Sequence, residues 1–234
     1  MIRLENISLG YGGRTLFNDA SLHLKAGEAV ALVGRNGAGK SSLLRVITAI
    51  EKPHSGRVLL YGKDIAALSA EERARLVAFV GTERVRIANL RCEDVVAIGR
   101  APYTNWMGRL QSSDRAIVAH ALQAVGMLHF AERTIDTLSD GECQRIMIAR
   151  ALAQQTPVII LDEPTAFLDI PTRHQICRLL GELAHREGKC ILYSTHDTDA
   201  ALPVCDRVAI IEEQHLYDVA AKEANVRISA LFGL

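Results

Sequence analysis

Hydrophobic positions along the chain fall into short runs, separated by longer segments in which apolar residues recur with a helical period. The short runs are rich in β-branched residues and predict strands. There are seven such runs, at residues 2–9, 28–34, 57–61, 76–81, 157–162, 189–195 and 207–211. Among the longer segments, residues 171–187 place Ile176, Leu179, Leu180 and Leu183 on one face of a predicted helix. Strands that alternate with helices in this way predict an α/β fold with a largely parallel sheet.

The beginning and the middle of the chain depart from this alternation. Over the first 60 residues the runs are closely spaced, with Gly-rich turns at 10–13 and 26–28, which predicts an antiparallel β subdomain. Residues 84–155 carry helical patterns and no convincing strand run. We therefore predict a core formed by residues 1–83 and 156–234, into which residues 84–155 are inserted as an α-helical subdomain.

Charge and cysteine content narrow the functional classes. Lys plus Arg and Asp plus Glu both number 27, so the formal net charge is zero and no basic excess favours nucleic acid or an anionic membrane surface. The five cysteines are scattered without a CxxC pair, which argues against a disulfide framework or a zinc site and fits a reducing cytoplasm. No stretch approaches the roughly 18 apolar residues of a membrane span. The sequence thus predicts a cytoplasmic protein that would reach a membrane only through partner subunits.

The segment VALVGRNGAGKSSLLRVI, residues 30–47, holds a glycine-rich loop between an apolar strand and an apolar helix. The spacing Gly34-x4-Gly39-Lys40-Ser41 in this setting predicts a phosphate-binding loop, in which backbone N–H groups and the helix N-terminus face an anion. Lys40 would reach the β- and γ-phosphates, and the Ser41 hydroxyl would ligate Mg²⁺. The alternative is an ordinary Gly-rich turn, which would show this pattern by chance in roughly one such chain in a hundred.

A second apolar run, VIILDE at 158–163, ends in two carboxylates. Asp162 lies at the C-terminal end of the predicted strand, where it would hold Mg²⁺ through a water molecule. Glu163 follows directly and would polarise an attacking water. The alternative is a strand that merely ends in acids at a turn before Pro164, and the nearby phosphate loop makes this the weaker explanation.

His196 follows another apolar run, ILYST, at the same predicted sheet edge. A single histidine is more often structural than catalytic. At this edge, however, its side chain would lie near the γ-phosphate and would donate a hydrogen bond to transition-state charge.

These segments belong to a larger set of spaced motifs. In chain order they are Tyr11, the loop at 34–41, LSDGE at 138–142, ILDEP at 160–164, LD at 168–169 and His196. With these motifs in this order, the chain resembles the ATP-binding-cassette (ABC) ATPase family over essentially its whole length. The resemblance implies a P-loop NTPase fold with a RecA-like core, ATP and Mg²⁺ as ligands, and a homodimer that encloses two ATP molecules.

The resemblance also implies a role for each motif residue. Adenine would stack on Tyr11, Glu163 would be the catalytic carboxylate, and His196 the switch histidine. Asp169 would contact the opposite protomer, while Ser139 and the Gly141 backbone would contact the γ-phosphate held there. The phosphates would be bound by loop residues Gly34, Asn36, Gly37, Ala38, Gly39, Lys40, Ser41 and Ser42.

The chain departs from the family pattern at two places. In the signature LSDGE, Asp140 and Glu142 replace the usual Gly and Gln. The Q-loop glutamine, a Mg²⁺ and water contact in the family, is replaced by Thr82, whose shorter hydroxyl either reaches the metal, acts through a water, or does not touch the metal at all. Independently of the family, Ser139 to Glu142 has the S-x-x-E pattern of a capping box, in which each side chain bonds the other residue's backbone N–H at the start of a helix.

The segment CEDVVAIGRAPYTNWMG, residues 92–108, resembles ATPase subunits of importers of ferric siderophores, haem and cobalamin. That resemblance implies a subunit at the inner face of the cell membrane that powers a permease, fed indirectly by a substrate-binding protein. The coupling helices of the permease would dock between the core and the helical subdomain. Arg84, Arg86 and Arg91 lie near that groove, where a solvated charged face is the simpler explanation.

Other ATPases of the family share the same ATP motifs. A soluble ABC ATPase, such as a subunit of iron–sulfur cluster assembly machinery, is therefore the alternative to an importer subunit. A DNA-repair ATPase is disfavoured, and no nucleic-acid partner is expected, because the sequence shows neither a long coiled coil nor a basic excess. A regulator that only binds ATP is disfavoured because Glu163 and His196 are both present.

Overall fold

The computed structural model describes residues 1–83, 87–104 and 109–232, and its larger sheet has six strands. They are β3 (Ala29–Gly34), β6 (Val77–Val80), β7 (Val158–Leu161), β8 (Cys190–Ser194), β9 (Arg207–Glu212) and β10 (His215–Ala220). The spatial order is β10–β9–β3–β8–β7–β6. Every pair from β9 to β6 is parallel, and β10 is added antiparallel at one edge. The predicted α/β fold with a largely parallel sheet is confirmed.

The smaller sheet is antiparallel and comes from the N-terminal part of the chain. Its strands are β1 (Ile2–Tyr11), β2 (Arg14–Leu24), β4 (Ser55–Leu60) and β5 (Lys63–Asp64), in the order β2–β1–β4–β5. The antiparallel arrangement predicted for the first 60 residues is therefore confirmed for β1, β2 and β4, whereas β3, in the same stretch, pairs in parallel within the larger sheet.

Two long strands, β2 and β10, were not among the seven predicted ones. In β2 the buried residues Ala20, Leu22 and Leu24 alternate with exposed polar ones, so the strand contains no continuous apolar run. β10 lies at the edge of its sheet and has no fully buried residue. Strands that bury only one face alternate in hydrophobicity, and a search for apolar runs misses them.

Helices connect and cover the sheets. The α-helices are α1 (Lys40–Ile47), α2 (Ala70–Leu76), α3 (Cys92–Ala97), α4 (Ser112–Ala124), α5 (Asp140–Ala153), α6 (Ile170–Glu187), α7 (Thr198–Ala201) and α8 (Ala224–Phe232). From residue 92 to 153 the described residues form helices and turns without a strand. This agrees with the inserted helical subdomain, whose limits at 84 and 155 stay a prediction. None of the described helices is long and apolar enough to span a bilayer.

The central strands of the larger sheet are buried on both faces, which explains their continuous apolar sequence. In β3, Ala29, Ala31 and Val33 face a core shared with α3 to α6, whereas Val30 and Leu32 face a core shared with the smaller sheet and α1. The C-terminal ends of the adjacent strands β3, β8 and β7 consequently meet at one edge. This edge is where ligands bind in open parallel sheets.

Candidate active site

The loop between β3 and α1 turns through two left-handed glycines. Gly37 and Gly39 have φ angles of 76° and 99°, which side-chain-bearing residues rarely adopt. A Cβ on Gly39 would also lie 3.2 Å from the Cβ of Leu16 and 3.3 Å from Cε1 of Phe17. The loop from Gly34 to Gly39 leads directly into α1. The first backbone N–H groups of this helix, those of Lys40, Ser41 and Ser42, have no acceptor within the helix. Such N–H groups are suited to bind an anion.

Lys40 is buried under this loop. Its Nζ donates to the carbonyl of Gly34 at 2.9 Å and lies 3.4 Å from that of Arg35. Nζ is also 3.9 Å from Oε1 of Glu163. Burial lowers the pKa of Lys40, and the nearby carboxylates of Glu163 and Asp162 act in the opposite direction. The ammonium is held in place by carbonyl groups, and a phosphate would supply the negative charge that best compensates its burial.

Asp162 follows β7 and is buried, with a serine of the neighbouring strand as its partner. Ser194 Oγ donates to Oδ1 of Asp162 at 2.7 Å and accepts from the backbone N–H of Glu163 at 2.8 Å. This one hydroxyl therefore holds the side chain of Asp162 and the backbone of Glu163 in place. Sequence reasoning missed Ser194 because its contact with Asp162 depends on β8 lying next to β7, which the sequence alone does not show.

Glu163 lies between Lys40 and His196. Its Oε1 is 3.9 Å from Lys40 Nζ and its Oε2 is 3.5 Å from Nδ1 of His196. Its φ of 47° is left-handed, and such backbone strain in a non-glycine residue is concentrated at functional sites. The structure therefore brings together four predicted residues, Lys40, Asp162, Glu163 and His196, at the edge where β3, β7 and β8 end.

Tyr11 and Asp169 have contacts of their own outside this cluster. The Tyr11 hydroxyl donates to the carboxylate of Glu51, and half of its side chain is exposed. Asp169 caps the N-terminus of α6 by accepting from the N–H of Thr172 at 3.1 Å, and the hydrogen bonds from Thr172 lower the pKa of Asp169. Its neighbours Phe167 and Ile170 are each 68% exposed. Large apolar side chains on both sides of Asp169 thus face outward.

Thr82 follows β6 and uses its hydroxyl within the protein. Oγ1 donates to the backbone carbonyl of Asp162 at 3.1 Å, which ties the end of β6 to the end of β7. This bond gives Thr82 a structural use that the sequence did not suggest. The three alternatives for Thr82, direct contact with the metal, contact through a water, or no contact, stay predictions.

We expect Thr82→Ala to lower the free energy of unfolding by about 1 kcal/mol or less, through loss of this single hydrogen bond. If Thr82 does not touch the metal, the Mg²⁺ concentration that gives half-maximal ATP hydrolysis will be unchanged. Thr82→Val keeps the shape and removes the hydroxyl, and so serves as the matched control. A marked rise in the required Mg²⁺ in both variants would instead assign Thr82 a metal contact.

The signature segment forms the capping box predicted from its sequence. Ser139 is the N-cap of α5, its backbone N–H and Oγ both donate to Oε2 of Glu142 at 2.8 Å, and the N–H of Glu142 donates to Ser139 Oγ at 3.3 Å. Gly141 lies against the start of α6, where a Cβ would come within 2.6 Å of Cγ2 of Thr172. No hydrogen bond or ion pair in the described part of the chain joins Ser139 or Gly141 to Lys40 or Glu163.

The capping box should make stability depend on pH. The bonds from Ser139 lower the pKa of Glu142 in the folded chain. A lowered folded pKa means stabilisation that is fully present above the unfolded value, about 4.3 for Glu, and is lost as pH falls through the folded pKa. Glu142→Gln retains a hydrogen-bond acceptor that does not titrate. The excess in free energy of unfolding of the wild-type chain over this variant should therefore shrink as pH falls below about 4.3. Urea unfolding from pH 6 to pH 3 measures this, and an advantage independent of pH would contradict it.

The helical segment has a buried ion pair that sequence reasoning did not find. Nε of Arg100 donates to Oδ1 of Asp114 at 2.9 Å, and both residues are only 5% exposed. Arg100 Nη1 also donates to the carbonyl of Ala153 and to Oε1 of Gln155. Arg100 therefore joins the start of α4 to the end of α5, the helix that carries the signature at its other end.

Among the basic residues predicted near the groove, Arg91 is exposed and lies 3.6 Å from a carboxylate oxygen of Glu93. Arg84 and Arg86 lie outside the described residues. The solvated face expected for this group therefore has support only at Arg91.

Sequence comparisons agree in relating this chain to ATP-binding proteins of ABC transporters. The family model described as ABC transporter matches residues 17–166. An uncharacterised ABC transporter ATP-binding protein of Methanocaldococcus jannaschii is 43% identical over 91% of this chain and 73% of its own length. The iron(3+)-hydroxamate import ATP-binding protein of Bacillus subtilis is 38% identical over 84% of this chain and 73% of its own.

A solved structure agrees with the sequence relatives. A dimeric ATP-binding cassette in a post-hydrolysis state, bound to ADP and Pi, superimposes with a TM-score of 0.78 and 27% identity, over 94% of this chain and 99% of that one. The predicted P-loop NTPase fold with an ABC ATPase core is thereby confirmed. The chain belongs to the ABC transporter family, as one of its ATP-binding ATPases.

Proposed function

We propose that this chain is the ATP-hydrolysing subunit of a membrane importer for an iron complex, such as a siderophore or haem, or for cobalamin. The observation that carries the proposal is the cluster of Lys40, Asp162, Glu163 and His196 at one sheet edge, in a chain of this family. The import direction rests on the relative named for iron(3+)-hydroxamate import and on the segment at 92–108.

ATP would be held by the loop and the first turn of α1. The N–H groups from Gly37 to Ser42 and the buried Lys40 ammonium would bind the phosphates, and Tyr11 would exchange its contact with Glu51 for adenine. Ser41 Oγ and, through water, the Asp162 carboxylate are hard oxygen donors of the kind that Mg²⁺ prefers. A bound Mg²⁺ would neutralise charge on the β- and γ-phosphates.

Glu163 would orient the attacking water and accept its proton. Its carboxylate lies between the Lys40 ammonium and the His196 imidazole, so both of its oxygens are held near groups that would themselves face the γ-phosphate. His196 would donate to the charge that develops there, and Lys40 would stabilise the same charge from inside the loop. General-base assistance of this type supplies about 10²–10⁴-fold in rate.

A second copy of the chain would complete each ATP site. Ser139 and Gly141 make no hydrogen bond or ion pair with the described residues of the cluster in their own chain, which fits an action on the nucleotide of the opposite copy. The exposed Phe167 and Ile170 beside Asp169 would be covered in the dimer. Closure would then be driven by ATP because only the closed state contacts it from both copies, and product release would reopen the dimer.

The membrane partner would be a permease at the inner face of the cell membrane, supplied by a substrate-binding protein. Its coupling helices would meet the groove beside α3, where Ile87 and Ile98 are about half exposed. Apolar side chains exposed at the border of two structural units favour such docking.

Affinity purification of the tagged chain from its native cells tests the assignment to a membrane complex. We expect a permease with several membrane spans to co-purify after mild detergent extraction. Recovery with a soluble scaffold protein from the cytosolic fraction would instead favour an iron–sulfur cluster assembly ATPase and contradict the proposal.

A further inference from the structure

The hairpin that carries Tyr11 also carries a cation on the same face. β1 and β2 are joined through Gly12 and Gly13, and Tyr11 pairs with Arg14 directly across this turn. Directly opposite residues of an antiparallel pair extend to the same face of the sheet. Both side chains are exposed. The Arg14 guanidinium is therefore attached beside the ring on which adenine would stack in the proposed function.

The Arg14 side chain extends from this hairpin to the phosphate loop. Its Nη2 lies 3.5 Å from the carbonyl oxygen of Gly37, which is long for a hydrogen bond. Among the described residues the guanidinium has no other hydrogen bond and no ion pair. A guanidinium has several N–H donors, so most of the donors of Arg14 are available to a ligand.

The strand that follows Arg14 is packed on the phosphate loop. A Cβ on Gly39 would lie 3.2 Å from the Cβ of Leu16 in this strand. Within the hairpin, a Cβ on Gly10 would lie 2.6 Å from the carbonyl oxygen of Arg14. Because these close approaches hold β1, β2 and the loop together, packing sets the position of the Arg14 backbone relative to the loop.

Arg14 and the loop border an open groove of about 520 Å³, a volume within the range of small-molecule sites. In the described part of the chain, its other charged lining residues are Arg35, Glu212 and Glu213. The carboxylate of Glu212 accepts from Nε of Arg227 at 3.0 Å. The positive charges of Arg14 and Arg35 therefore exceed the remaining negative charge of Glu213, and the groove favours an anion.

We infer that Arg14 binds the α-phosphate of the nucleotide. The inference rests on the proposed function, in which adenine stacks on Tyr11 and the loop with Lys40 holds the β- and γ-phosphates. Only the ribose and the α-phosphate lie between the base and the β-phosphate, and Arg14 bridges the two protein segments that hold these parts. Of the two, the phosphate is the anion, and a guanidinium binds it through charge-assisted, bidentate hydrogen bonds.

This contact is the same before and after hydrolysis, because ADP retains the α-phosphate. An interaction that holds substrate and transition state equally changes KM rather than kcat. Arg14 is therefore a nucleotide-binding residue, and the chemical step stays with Lys40, Glu163 and His196.

The nucleotide affinity of Arg14→Gln tests the contact. Titration calorimetry with ADP and Mg²⁺ should show binding about tenfold weaker than in the wild-type chain, because charge-assisted hydrogen bonds are lost. The loss should shrink at high salt, and Arg14→Lys, which keeps the charge but not the planar fork, should recover part of it. In steady-state ATP hydrolysis the change should appear in KM rather than in kcat. An unchanged affinity for ADP in Arg14→Gln would overturn the inference.

Inorganic pyrophosphate separates this contact from mere support of the loop through Gly37. Pyrophosphate fills the β- and γ-phosphate positions of the loop and has no adenosine that would place a phosphate beside Arg14. Its affinity should therefore be the same for Arg14→Gln and the wild-type chain. Equal losses for pyrophosphate and ADP would show that Arg14 acts on the loop alone, and would overturn the inference.

Arg178→Gln, the same change at an exposed position on α6, is the matched control and should leave both affinities unchanged. The free energy of unfolding without nucleotide should be the same for Arg14→Gln and the wild-type chain, because the side chain is exposed and its one described hydrogen bond is long.

The outcomes also separate this inference from the proposed function. A wild-type chain that binds neither ATP nor ADP contradicts the proposed function and the Arg14 contact together. A wild-type chain that binds both nucleotides, with the same affinity for ADP in Arg14→Gln, overturns the Arg14 contact alone.

Discussion

Glu163→Gln is expected to bind ATP as the wild-type chain does, while its rate of hydrolysis falls about 10²–10⁴-fold. The amide keeps the shape of the carboxylate between Lys40 and His196 but no longer accepts a proton from water. The affinity for ATP should be retained because, in the proposed function, the loop and not this side chain holds the phosphates. Bound ATP then persists, so the variant should accumulate as a closed dimer.

Two assays on the purified chain examine this expectation. Phosphate release gives the rate, and titration calorimetry gives the affinity for ATP. Glu187→Gln, the same change at an exposed position near the end of α6, controls for the altered charge and should leave both values unchanged. Full turnover in Glu163→Gln would rule out Glu163 as the general base.

Arg100→Met should lower the free energy of unfolding by about 3 kcal/mol, more than Thr82→Ala does. The reason is that it leaves the Asp114 carboxylate buried without its cation. We place the loss at the lower end of the range for broken buried pairs because Asp114 Oδ2 still accepts from the N–H of Gln111 at 2.9 Å. The hydrogen bond from the N–H of Gln111 is the main cause of the lowered pKa of Asp114 in the folded chain, and the hydrogen bond from Arg100 is the second cause. Denaturant unfolding measures the difference.

Arg100→Met combined with Asp114→Leu provides the control, since it removes both charges. The double variant should be more stable than Arg100→Met alone, because no unpaired charge stays buried. Equal losses in the single and double variants would show that the bonds from Arg100 to Ala153 and Gln155 carry the effect. A loss within experimental error for Arg100→Met would contradict the assignment of a buried pair.

Local patterns predicted those parts of the fold and site that depend on neighbouring residues. The central strands were predicted because burial on both faces requires an unbroken apolar run, as in β3 and β7. The phosphate loop was predicted because its backbone turn requires glycine at 37 and 39. The capping box of Ser139 and Glu142 spans three residues and follows from the same local logic.

Contacts between distant segments could not be predicted in this way. Ser194 reaches Asp162 only because β8 lies beside β7, and Arg100 reaches Gln155 only after α3, α4 and α5 have packed together. Gly141 has a tight neighbour in Thr172, on the next long helix of the chain. Such pairings are decided by the tertiary fold, and a single sequence considered by itself does not show which distant segments meet. The bond from Thr82 to Asp162 belongs to the same class.

In the proposed function, ATP hydrolysis at Glu163 drives import through a permease. Uptake by proteoliposomes tests it most directly, with the complex purified through this chain and supplied with a ferric siderophore, haem or cobalamin together with the substrate-binding protein. We predict that one of these compounds accumulates on the side of the membrane that carries this chain and ATP, and that accumulation ceases with Glu163→Gln. Accumulation that continues without ATP or with Glu163→Gln would contradict the proposed function.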